Sequence, residues 1–167
     1  MNCYTLNKAY IHTLCVDVVI VSIAMLIPVF SHLTFPIYQF NPILFLLMLS
    51  IPYCNNRWNA HILAMVIPLL SFLIIGMPTL TKVYCMVIEY NVVLYVYFLL
   101  QDKMATRHLS SMFVMMFFAI LVGKCAYYLS KTILVGTMII DTPVIIQFIS
   151  SIVIALISSV FVKFKNR

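Results

Sequence analysis

Long apolar runs, broken only by brief polar punctuation, constrain this chain more than any motif it carries. They are continuous, so a transmembrane barrel, whose strands alternate apolar and polar residues, is excluded. Of the 167 residues, 65% are hydrophobic and only 8% are charged. A soluble domain carries about 25% charge, so there are too few charges here to cover a water-facing surface. Disorder requires the reverse composition. The remaining class is an all-α integral membrane protein, a single polytopic domain over residues 1–167.

A spanning helix takes roughly 20 residues. The punctuation predicts six spans, at about 10–31, 36–53, 59–76, 82–101, 109–130 and 143–163. The second is short and Pro-rich, with Pro36, Pro42 and Pro52. The first run is long enough to span and lacks a cleavage site, so it reads as a retained helix and not a signal peptide.

The basic residues give these spans a direction. Lys8, Arg57, Lys103, Arg107, Lys163, Lys165 and Arg167, seven of the ten, fall on one side of a six-span arrangement. Lys82, Lys124 and Lys131 fall toward the other. Positive loops stay in the cytoplasm. Both termini are therefore expected inside, with the chain multi-pass in the cytoplasmic (inner) cell membrane and lipid as its surroundings. The net charge of +6 reports orientation in this reading, and nucleic acid is not an expected partner.

Two charges break the pattern. Glu89 lies seven residues past Lys82, and Lys124 lies seven residues before Lys131. At about 1.5 Å per residue each sits roughly 10 Å below the outer surface. An isolated charge at the centre of a spanning helix costs about 2.5–3.5 kcal/mol on the insertion scale, so such residues pair or line a cavity. Tyr84, Tyr90 and Asn91 share the outer layer on segment four, Tyr127 and Tyr128 on segment five, and Gln147 on segment six. Together they would line an outward pocket offering a carboxylate, an ammonium, amides and aromatic faces to a small planar or zwitterionic solute. The plainer readings stay open: an aromatic belt at the interface, a lysine that snorkels outward, or an ion pair that fastens two helices. His32 is placed in an outer turn and counted with the site. Asp17 reads as interfacial near the inner end of segment one.

Catalytic and metal signatures are absent from the sequence. There is no H-E-x-x-H, G-x-S-x-G or P-loop pattern, and no pair of intramembrane aspartates. Five scattered cysteines form no C-x-x-C, and no metal or cofactor is expected. With only three glycines a phosphate-cradling loop cannot be built, so ATP-driven work would fall to a partner.

Residues 24–100 carry a family likeness. Ser31-His32-Leu33-Thr34-Phe35-Pro36-Ile37-Tyr38 leads into a short second helix, and a basic turn with Arg57-Trp58 follows. Next comes a helix bearing Pro68-Leu69-Leu70-Ser71 and ending in Gly76-Met77-Pro78, then a helix with Glu89 inside it. This resembles the substrate-binding S components of energy-coupling factor (ECF) type transporters. The resemblance implies capture of a vitamin or vitamin precursor from outside, and delivery inward with a transmembrane T component and two ATPase subunits. It carries over the loop Gly76-Met77-Pro78 and Glu89 as site elements, while Lys124 rests on depth alone. Segment one departs from the pattern: in place of small residues four apart it offers Ser22 and Ala24, two apart and on different faces. Two other functions compete. One is a scaffold such as the D-type proteins of the rod-shape cell-wall machinery, for which Glu89 and Lys124 would pair inside a closed bundle. The other is a membrane enzyme, which no motif supports.

Overall fold

The computed structural model describes residues 3–33, 41–53, 56–76, 78–104, 108–136 and 143–165. Among these are six α-helices: α1 (Cys3–Leu33), α2 (Pro42–Ser50), α3 (Arg57–Ile75), α4 (Leu80–Lys103), α5 (Leu109–Val135) and α6 (Val144–Lys165). A 3-10 turn, Ile51–Tyr53, extends α2. Four of the helices, α3 to α6, are long and apolar enough to cross a membrane.

Local chemistry sets the helix ends. Asn56 starts α3, its side chain accepting the Trp58 backbone N–H at 3.2 Å. Gly76 stops it in a left-handed conformation, φ 74°, with its N–H on the Phe72 carbonyl, a conformation that suits glycine at a helix C-terminus. Gly136 closes α5 the same way.

Segment one runs longer than expected, as the 31-residue α1, and segment two contains a shorter helix than expected. Among its described residues nine are α-helical, about 14 Å of rise, roughly half the hydrocarbon thickness. Asn41 ahead of it is left-handed, φ 50°, and Pro42 opens the helix, where a missing N–H does no harm. Residues 34–40, part of the expected span, lie outside the described residues. Segment five runs longer than expected. Lys131, read as marking its outer end, is buried at 7% exposure inside α5, which continues to Val135.

The helices pack as a ring. α3 lies on α4, α4 on α5 and α5 on α6, while α2 closes the ring by touching both α6 and α3; α1 packs on α2 and α3. Leu44, Leu47, Ala64, Leu94, Met116 and Ala155 fill the interior. Large apolar side chains also cover the outside, as at Leu73, Ile133 and Ile145, the surface a bilayer would solvate. The closest approach shown at a glycine is at Gly123. A Cβ there would lie 2.2 Å from Val93 Cγ2 and 3.2 Å from the Glu89 carbonyl oxygen. The absent side chain lets α5 close on α4 beside the two intramembrane charges.

Candidate functional site

Glu89 is on the inner face of α4, 1% exposed. Lys124, on the facing side of α5, places its Nζ 2.7 Å from Glu89 Oε1. A third group joins them. Asn41, just ahead of α2, donates from Nδ2 to the same Oε1 at 3.1 Å. The Tyr90 hydroxyl donates to Asn41 Oδ1 at 3.0 Å. The chain of bonds therefore runs from Tyr90 to Asn41 to Glu89, and Lys124 meets it from the other side. α2, α4 and α5 are joined at one buried carboxylate oxygen.

From Lys124 the polar row continues toward α6. Its ammonium stands 5.7 Å from the centre of the Tyr127 ring. Tyr127 meets Tyr128 edge to face at 5.4 Å. The Gln147 amide Nε2 donates to the Tyr128 hydroxyl. Lys124, Tyr127 and Tyr128 are three and four residues apart, so they share one face of α5. Glu89, Lys124, Tyr128 and Gln147 thus form one continuous row across α4, α5 and α6.

Other expected site residues lie apart from this row. Asn91 is two positions from Glu89, about 200° around the helix. It turns toward α3, its Oδ1 2.9 Å from His61 Nδ1 and its amide bonded to the Val87 carbonyl at 2.8 Å. Tyr84 is 54% exposed on the outer surface of α4. Pro78 lies just ahead of α4, at the end of the bundle nearer Glu89. Met77 lies outside the described residues. His32 falls within the last turn of α1 and not in a turn beyond it; its side chain lies outside the description.

Glu89 is nine residues from the start of α4 and Lys124 eleven from the end of α5. The pair therefore lies about 14–17 Å from those helix ends, which extend beyond Lys82 and Lys131. The shared level stands, since the two charges touch.

Sequence reasoning missed Asn41. Its signal is the dipeptide Asn41-Pro42, a turn pattern in which Asn tolerates the left-handed backbone. The apolar run around it places it inside the second expected span.

The opposite end of the bundle holds a separate polar group. Arg57 makes a two-pronged ion pair with Asp102, at 2.5 and 2.7 Å, between the start of α3 and the end of α4. Asn59 donates to Asp17 Oδ2 at 2.8 Å, tying α3 to α1. Asp17 is therefore placed toward the Arg57 end of the bundle. Among the described residues no group of three or more His, Cys, Asp or Glu side chains could hold a metal ion.

Fold and site together define a helical membrane protein with a buried carboxylate–ammonium–amide cluster between its helices. No family model, curated protein or solved structure matches the chain.

Proposed function

We propose that this protein is the substrate-binding S subunit of an ECF-type importer. In this reading it has six spans and both termini in the cytoplasm. It captures a small solute, such as a vitamin or vitamin precursor, from outside and delivers it with a T component and two ATPase subunits. The observation that carries the proposal is the buried Glu89 carboxylate, with Lys124 and Asn41 both bonded to its Oε1. Intramembrane ionisable residues are retained mainly for substrate and ion handling. A buried ion pair is seldom the most stable way to join two helices, because apolar residues of the same volume do as well or better. In this reading the Glu89 carboxylate accepts from a solute N–H, Lys124 answers a solute anion, and the Tyr127–Tyr128 pair flanks the position. The mutual pairing neutralises both charges while no solute is bound.

The test is mass spectrometry of small molecules retained by the purified protein, followed by affinity measurement on Glu89→Gln. The expected result is a stoichiometric solute whose affinity falls tenfold or more in the variant. A solute bound equally well by Glu89→Gln would remove Glu89 from the site, and absence of any retained or transported solute would remove the proposal.

A second reading has one observation in its favour. Glu89 and Lys124 pair directly and Glu89 is almost fully enclosed, as a scaffold of the cell-envelope machinery would have them. Co-purification of envelope-assembly proteins, in place of a T component and ATPases, would select it.

A further inference from the structure

The end of the bundle farther from Glu89 carries a groove that the proposed function does not use. It lies between the start of α5 and the end of α6, has a volume of about 200 Å³, and is lined by Leu109, Val160, Lys163 and Phe164. Three walls are apolar and the fourth is a lysine. Phe164 is 70% exposed, while Lys163 is partly covered, so its stem runs along the apolar walls.

We propose that this groove holds one anionic phospholipid, with part of an acyl chain against Leu109, Val160 and Phe164 and the phosphate at Lys163. Charge complementarity supports an anionic occupant. Among the described residues the acids are engaged elsewhere: Glu89 with Lys124, Asp102 with Arg57, and Asp17 with Asn59. No described carboxylate neutralises Lys163. Position supports a lipid. Trp58 lies at the same end, beside the Arg57–Asp102 pair, and is 74% exposed. Tryptophan favours the headgroup level of a bilayer, which puts the groove mouth where a lipid phosphate sits. Basic pockets between membrane helices are a recurrent setting for such headgroups. An apolar wall beside a single ammonium suits an acylated phosphate better than a free one, which would gain nothing from Phe164 or Val160.

The test is native mass spectrometry of the full chain from mixed micelles holding equal amounts of phosphatidylglycerol and phosphatidylcholine. One phosphatidylglycerol should be retained in preference. Lys163→Gln should lower its retention about fivefold, the effect of one lysine near an anionic surface, and leave phosphatidylcholine unchanged. Val160→Phe, which fills the groove but keeps the lysine, should also release the lipid. Both substitutions are near the end of α6, so an unchanged elution volume verifies the fold. Equal retention of the two lipids, or indifference to Lys163→Gln, would overturn the proposal. Displacement of phosphatidylglycerol by millimolar inorganic phosphate would overturn it too, by showing an anion site without acyl recognition.

Discussion

Replacing Lys124 by methionine removes the ammonium but keeps a side chain of similar length in the α4–α5 contact. It strands the Glu89 carboxylate, whose side chain is 2% exposed, while Asn41 still donates to it. Breaking a buried ion pair from one side costs about 3–5 kcal/mol, because the surviving charge is left uncompensated. The reverse change, Glu89→Gln, is milder. Lys124 is 19% exposed, so its flexible stem can carry the ammonium toward water, and the glutamine can still accept from Asn41. We expect that variant to lose about 1–2 kcal/mol. The double variant should be more stable than the sum of the singles predicts, with a coupling of about 2 kcal/mol. For a chain of this size Lys124→Met then lowers Tm by roughly 10 °C. A suitable assay is thermal exposure of the buried thiol of Cys85 to a fluorogenic maleimide in detergent, in a background where the other cysteines are serine. Equal losses in the two single variants would refute the asymmetry drawn from their exposures. Additive losses would refute the pair as an energetic unit.

Other outcomes follow from the same geometry. Gly123→Ala places a methyl 2.2 Å from Val93 Cγ2. Since Val93 is stiff at χ1 on a helix, it should lose about 1–3 kcal/mol, and adding Val93→Ala should recover most of that in the same thiol assay. Asn41→Gly keeps the left-handed backbone but loses both side-chain bonds, so its melting temperature isolates the amide's contribution; Asn41→Ala should fall further by about 1 kcal/mol for the left-handed alanine. Tyr90→Phe deletes only the hydroxyl bond to Asn41 and should lose about 1 kcal/mol by the same readout. A cysteine at Thr79, which is exposed just before α4, should react with an impermeant thiol reagent added outside intact cells; reaction from the cytoplasmic side alone would invert the proposed orientation.

The sequence by itself determined the class and the long helices. Runs of apolar residues must satisfy their backbone groups internally in a bilayer, and α-helices do so without a partner, so the bounds of α3, α4 and α6 fall within two residues of the punctuation. The common level of Glu89 and Lys124 was legible too, from their positions on successive antiparallel helices; the sequence leaves open whether they pair or line a cavity, and the direct contact is a finding of the tertiary structure. Facing was not legible. In a water-soluble helix the polar side marks the outside, but a membrane helix is apolar toward both lipid and core. Nothing in the pattern of α4 therefore separates Glu89, which points inward, from Tyr84, which points outward, or from Asn91, which turns to His61. The scarcity of charge identifies the residues that need partners. Only the tertiary structure decides that Asn41, which the sequence places inside the second expected span, is one of them: a hydrogen bond joining residues 48 positions apart is set by packing and not by local sequence.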